Sequence, residues 1–222
     1  KNDIRFIQIG ANDGITHDLI HKFIKRDGWK GILLEPQSYV FNKYLKKLYR
    51  KDKNVHPLNA AIGYSDETAT LYKIGFSNAR WATGLATFNK DMIIKAYESG
   101  HVERQAKKNN ETVPEDDSLK ISEEKVRVIS PASLTGEYDL PRIDLLQIDA
   151  EGFDFEVIKM FDKQAVYSRI IIFESSHFSD TEFEACMAFL RNRNYQTKTV
   201  KANTIAMIEP EGEYLDFFNS ET

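Results

Sequence analysis

Phe6-Ile7-Gln8-Ile9-Gly10-Ala11-Asn12-Asp13-Gly14 decides how this chain folds: an apolar run of strand composition breaks into two glycines that bracket Asn12 and Asp13. Glycine supplies positive φ and lets backbone or ligand come close, as a tight strand-to-helix turn requires. Twenty-one residues past Gly14, the apolar run Gly31-Ile32-Leu33-Leu34 delivers Glu35 and then Pro36. A strand, a glycine turn, a helix and a second strand tipped by a carboxylate form a holder for adenosine. Backbone at the turn approaches the ligand, and the acid accepts from two ribose hydroxyls. The alternative is a generic α/β turn followed by a surface glutamate. Because Gly10 to Gly14 lacks the third glycine and the spacing of G-x-G-x-x-G, a nucleoside without pyrophosphate fits better than a nicotinamide dinucleotide.

Outward from this segment, strand and helix signals alternate, which predicts a mostly parallel sheet with helices on both faces. A helix is expected from about Thr16 to Asp27, with Leu19, Ile20, Phe23 and Ile24 as its apolar stripe and Gly28 as its stop. The next is capped at Ser38 and turns Phe41, Tyr44, Leu45 and Leu48 inward. Val55 to Ile62 reads as a third strand, with Thr68 to Ile74 as its hairpin partner across Ser65-Asp66-Glu67. Further on, Val126 to Ile129 and Ile143 to Ile148 read as strands, and Asp154 as the cap of a helix carrying Val157, Ile158 and Phe161. Arg169 to Phe173 is a buried strand, Ser179 with Glu182 is a capping box, and Tyr195 to Ile208 is a terminal antiparallel hairpin. The expected fold is therefore α/β, the Rossmann-like class I methyltransferase outline of a mostly parallel seven-stranded sheet ending in an antiparallel hairpin. Element order alone carries that analogy.

The stretch from about 75 to 125 breaks the alternation, so the 222 residues read as a single domain with an insertion or lid there. Trp81 and Phe88 give its first part something to bury, whereas the acidic loop Glu111 to Asp117 is expected to be disordered. From Trp81 to Asn109 a mobile cover over the acceptor site is expected, against the alternative of a permanently packed structural hairpin.

Bulk properties exclude several classes. No apolar run is long enough for a membrane span. A net charge of −4 argues against non-specific nucleic-acid binding, and the cluster Lys43, Lys46, Lys47, Arg50, Lys51 and Lys53 follows the solvated face of one helix. The single cysteine, Cys186, excludes an internal disulfide, fits a reducing, cytoplasmic setting, and sits among apolar residues as a structural thiol. No signal-peptide pattern is present, and the chain reads as compatible with a domain of a longer protein.

Ligands of open parallel sheets bind beyond the carboxyl ends of the strands. Here those ends are Gly10 to Gly14, Glu35-Pro36, Asn59-Ala60-Ala61 and Gln147 to Gly152. Ala60 and Ala61 offer a flat surface for adenine, with Asn59 to bond its edge; the alternative is that small residues let a helix pack closely. In Gln147-Ile148-Asp149-Ala150-Glu151-Gly152 a buried strand ends in two acids on the same side, which is costly unless they meet a ligand, a cation or donors. His177 follows the next core strand and is the candidate general base, with Asp149 in its place as the other option. No metal-ligand spacing recurs, and no metal is expected; Asp149, Glu151 and His177 are the residues a hard cation would use.

These residues resemble the FkbM-type methyltransferases, which use S-adenosylmethionine. The resemblance spans nearly the whole chain and rests on Ile9 to Gly14, Leu34-Glu35-Pro36, Asn59 to Gly63, Ile148-Asp149-Ala150-Glu151-Gly152 and Ile172-Phe173-Glu174. Gln8 stands where the family often has an acid, and Gln147 where lysine is common. The resemblance implies a class I fold, a bound methyl donor and O-methylation of a sugar, polysaccharide or natural-product hydroxyl. On that reading Gly10, Ala11, Asn12 and Gly14 meet the methionine portion, Glu35 and Pro36 the ribose, and Asn59, Ala60 and Ala61 the adenine. Gln147 and Asp149 complete the donor site, and His177, Asp149 and Glu151 supply the proton acceptor. Two other readings remain: another nucleoside-cofactor enzyme, such as a nucleotide-sugar epimerase or dehydrogenase, and a non-catalytic nucleoside-binding domain of a glycan-assembly protein.

Overall fold

A computed structural model describes residues 3–220. Its main sheet has seven strands in the order β3-β2-β1-β7-β8-β10-β9. These are β1 (Arg5–Ile9), β2 (Lys30–Leu34), β3 (Val55–Leu58), β7 (Ile143–Ile148), β8 (Ser168–Glu174), β9 (Tyr195–Val200) and β10 (Asn203–Ile208). All of the pairings are parallel except those of β10, which runs antiparallel to both β8 and β9. Because β1 lies between β2 and β7, with all three parallel, their carboxyl ends open side by side. Register holds them level: Ile9 pairs with Leu34 on one side and Ile148 on the other.

The period-two alternation of β1 sends Ile7 and Ile9 to one face and Phe6 to the other. The Ile7 face is buried with residues of the helices Pro131–Glu137, Asp154–Lys163 and Asp180–Arg191, through Leu134, Phe161 and Leu190. On the opposite face lie helix His21–Asp27 and the helical stretch 38–48, which bury Ile24 and Leu45. That stretch widens to a π-helix over Phe41–Leu45. Leu19 and Tyr44, expected inward, are exposed. Cys186 is fully buried, and burial pushes its thiol up to about 12, in keeping with a structural role.

Two expectations about the middle of the chain are corrected. Val55 to Ile62 is two strands: β3 ends at Leu58, and Ala61–Ile62 forms β4 of a second, three-stranded sheet ordered β4-β6-β5. The partner of β5 (Glu67–Ile74) is not Val55 to Ile62 but β6 (Ile121–Ile129), antiparallel with Ile74 opposite Ile121. Asp66 is no hairpin turn residue; it accepts from Ser130 N and Ser133 Oγ at 2.7 and 2.6 Å and so braces the start of helix Pro131–Glu137, whose cap is Ser130.

Between β5 and β6 the helices Arg80–Thr83, Lys90–Glu98 and His101–Lys108 surround a small core of Ile74, Ala82, Ile93 and Val102. The acidic loop expected to be disordered is tied down. Glu111 accepts from Ser77 Oγ and from Trp81 Nε1 at 2.8 Å, and Asp116 caps the turn Asp117–Leu119.

Candidate functional site

A cavity of about 390 Å³ opens over the carboxyl ends of β1, β2 and β7, within the range of small-molecule sites. Gly10 is required there by geometry. Its φ is +75°, and a Cβ would stand 1.9 Å from the Asp149 carbonyl oxygen. The turn is stitched to the neighbouring strand ends: Gly10 N and Ala11 N donate to Leu34 O, and Asp149 N donates to Ile9 O.

Glu35, at the tip of β2, is only 2% exposed. Its Oε2 accepts from Asn12 N at 2.9 Å and its Oε1 from Gln37 N at 2.8 Å. Each carboxylate oxygen has a second lone pair, so the two can still accept from a pair of vicinal hydroxyls. Burial raises Glu35 to about 7 against the opposing pull of those two N–H groups.

The β7 end forms the other acidic wall. Asp149 and Glu151 both line the cavity, Glu151 from a left-handed position at φ 49°. Burial first, and then repulsion from Glu174, lifts Asp149 above the usual carboxylate range. Burial, followed by Asp149 and Glu174, pushes Glu151 up to about 7. Asp154 is fully buried and accepts from Ala150 N and Glu174 N, so it braces the β7 loop against the end of β8; Phe153, not Asp154, occupies the cap position. Burial and Asp149 raise Asp154 to about 7 as well.

Gly10, Asn12, Glu35, Pro36, Ala60, Ala61, Asp149 and Glu151 all line this one cavity. Ala11 and Gly14 do not. Ala11 packs with Phe6 and Ile20, and Gly14 faces Leu45, Leu48 and Tyr49, so both shape the turn from behind. The expected adenine contact through Asn59 is also corrected. Its Nδ2 donates to Glu35 O and Pro36 O at 2.8 and 3.0 Å, and its Oδ1 accepts from Ser38 Oγ, which commits the amide to holding the Glu35 loop. Gln147 is buried within β7 opposite Gln8, away from the cavity wall. His177 lies outside the lining as well; it is half exposed, with Nε2 3.5 Å from Glu174 Oε1. Among the described residues no group of three or more His, Cys, Asp or Glu side chains is arranged to hold a metal ion.

Arg80, Thr83, Gly84 and the run Ala86 to Asn89, with Met92, contribute a wall that sequence reading did not assign to the donor. The inserted segment is pinned over the site by Gln37 Nε2, which donates to Thr83 O at 2.9 Å. Phe88, Met92 and Phe153 line the cavity while remaining more than 40% exposed, which makes them an apolar rim.

The sequence matches the methyltransferase FkbM domain over residues 8–197. This chain belongs to the FkbM methyltransferase family. No curated protein matches it. Among solved structures, the methyltransferase FkbM of Methylobacillus flagellatus KT is 8% identical with a TM-score of 0.51, covering 92% of this chain and 43% of that one. The chain thus spans less than half the length of that protein. Podospora anserina methyltransferase PaMTH1, solved bound to S-adenosylhomocysteine, is 10% identical with a TM-score of 0.45, covering 92% and 71%. The N-terminal domain of human METTL16, also solved with S-adenosylhomocysteine, is 12% identical with a TM-score of 0.41, covering 93% and 60%. The fold and family of this FkbM domain are those of S-adenosylmethionine-dependent methyltransferases, and S-adenosylmethionine is the cofactor that goes with them. The cavity has features that fit such a group: a carboxylate at Glu35 with lone pairs left to accept, a turn that excludes a Cβ at Gly10, and small side chains at Ala60 and Ala61. Among the described residues no helix is long and apolar enough to cross a membrane.

The raised acids make the ligand-free FkbM domain pH-sensitive. Glu35 binds its proton more tightly folded than unfolded, so its contribution falls as pH rises from about 4.5 through about 7. The loss amounts to roughly 3 kcal/mol for this group. Thermal unfolding should therefore show a higher Tm at pH 5.5 than at pH 8, and Glu35→Gln should flatten that slope. A Tm that climbs from pH 5.5 to pH 8 contradicts the assignment.

Proposed function

We propose that this domain transfers a methyl group from S-adenosylmethionine to a hydroxyl of a sugar, polysaccharide or other natural product. The observation that carries this reading is the shared cavity, in which the buried diol acceptor Glu35 and the acid pair Asp149 and Glu151 line the same space. When bound, the donor supplies an electrophilic methyl on a sulfonium, and transfer is an in-line displacement that needs alignment and removal of a proton.

The chain's own residues then divide the work. Glu35 accepts from the ribose hydroxyls, backbone at Gly10 and Asn12 borders the methionine portion, and Ala60 and Ala61 give adenine a flat wall. Asp149 and Glu151 accept the hydroxyl proton; with proton affinities raised toward neutrality they are stronger bases than ordinary carboxylates. His177, beside Glu174 at the outer edge, hands the proton on to solvent. The rim of Phe88, Met92 and Phe153 takes the apolar face of the acceptor, such as the C–H face of a sugar ring, while the acidic wall disfavours an anionic one.

On this reading the domain is a single methyltransferase unit, and the insertion at about 75–125 is its cover, touching the cavity through Arg80, Thr83, Gly84, Ala86 to Asn89 and Met92. Excluding water there protects the reactive donor. The test is transfer of label from methyl-labelled S-adenosylmethionine to neutral hydroxylated acceptors, with the product linkage determined. The expected product is a methyl ether. Donor binding without transfer to any hydroxyl, or transfer to nitrogen or carbon, would count against the proposal.

A further inference from the structure

S-adenosylmethionine ends in an α-carboxylate, an anion that must enter a cavity walled by Glu35, Asp149 and Glu151. The donor's sulfonium and α-ammonium suit these acids, but its carboxylate is repelled by them and calls for a cationic partner at the methionine end. Among the described residues that line the cavity, Arg80 is the only one with a cationic side chain.

Arg80 arrives from the inserted segment, at the first position of helix Arg80–Thr83, and reaches across to the turn that follows β1. One terminal nitrogen, Nη2, donates to Thr16 O at 3.1 Å. The other, Nη1, lies 3.5 Å from Asp13 Oδ1. A guanidinium carries five N–H donors in a planar fork, so two loose engagements leave donors free for a carboxylate. Asp13 does not depend on Arg80. Its carboxylate already accepts from Ile15 N, Thr16 N and Thr16 Oγ1 at 2.7 to 2.9 Å. The Arg80 side chain is 41% exposed, free to re-aim, while the backbone of its helix is held by the Gln37 bond to Thr83 O. Its charge is felt at Glu35, Asp149 and Glu151 alike, which puts it between the ribose acid and the acids of the β7 end.

We propose that Arg80 binds the α-carboxylate of the donor's methionine end, reaching it from the inserted segment across the Gly10 to Gly14 turn. The proposal rests on the donor assignment above. A charge-assisted fork onto a carboxylate is directional as well as strong, so it also fixes the rotation of the methionine portion. Since Arg80 belongs to the cover, the same contact ties donor binding to the seating of that segment over the cavity.

Calorimetry with two probes tests it: S-adenosylhomocysteine, and 5′-methylthioadenosine, which keeps the adenosine and thioether but lacks the amino-acid end. Arg80→Ala should weaken S-adenosylhomocysteine roughly 10- to 100-fold, the range for losing a charged hydrogen-bond pair, and leave 5′-methylthioadenosine within about twofold. Arg80→Lys should recover part of the loss. Equal weakening of both probes would mean that Arg80 only shapes the cavity, and unchanged affinity for both would mean that the carboxylate goes elsewhere; either result overturns the proposal. Arg80→Gln gives the same readout should the alanine variant fold poorly. Glu35→Ala serves as the control that weakens both probes. If wild-type protein binds neither, the donor reading itself fails and this proposal falls with it.

Discussion

Glu35→Ala should weaken binding of S-adenosylhomocysteine by roughly 30- to 1,000-fold, corresponding to about 2–4 kcal/mol for a charge-assisted pair of ribose hydrogen bonds. The structure points to the upper part of that range. Glu35 is 2% exposed, and its carboxylate also anchors Asn12 N and Gln37 N, so alanine leaves a buried and a part-buried N–H without their partner beside the ribose position. Gln37 in turn holds the cover through Thr83 O, which spreads the damage to the opposite wall. The deprotonated carboxylate is the stronger acceptor, so wild-type affinity should rise between pH 6 and pH 8, opposite in sign to the stability of the ligand-free domain. Isothermal titration at both pH values reads this directly. Wild-type affinity in a folded Glu35→Ala variant would remove Glu35 from the ribose site.

What made Glu35 legible is local. A carboxylate directly after the buried run Ile32-Leu33-Leu34 has few structural excuses, and Gly10 announces a close approach that the Asp149 carbonyl turns out to make. Asn59 misled for the converse reason. Its polarity at a strand end suggests a ligand, but its partners are the Glu35 and Pro36 carbonyls, which only the parallel pairing of β2 with β3 brings near. Strand β6 was seen only at its apolar end because Ser122 to Lys125 alternates with solvent. There Glu124 earns its place through tertiary partners, Lys73 Nζ at 2.6 Å and Ser38 N at 2.9 Å. Arg80 carried no signal at all. It sits 45 residues past Glu35, in a stretch without periodicity, and only the fold brings it to the Thr16 carbonyl and the cavity wall.

The largest effect is expected at the β7 end. Asp149→Asn should lower turnover roughly 100- to 10,000-fold, the range for removing a positioned general base, while donor affinity changes only a few-fold. Glu151→Gln should behave similarly, because the two acids line the same wall of the cavity and titrate as a pair whose apparent pKa values belong to both. Stability separates a chemical role from a structural one. Burial and Glu174 raise Asp149, so its charged form strains the folded state at pH 8, and a neutral asparagine of the same shape should melt at the same temperature or higher. A residue whose removal steadies the fold and stops the reaction is there for the reaction. Asp154 provides the contrast: its two backbone partners, Ala150 N and Glu174 N, make Asp154→Ala a variant that should lose stability first. Melting curves and single-turnover rates on the three variants decide the matter. If Asp149→Asn and Glu151→Gln instead lower the melting temperature while turnover per folded molecule stays intact, the acids are structural and the proton leaves by another route.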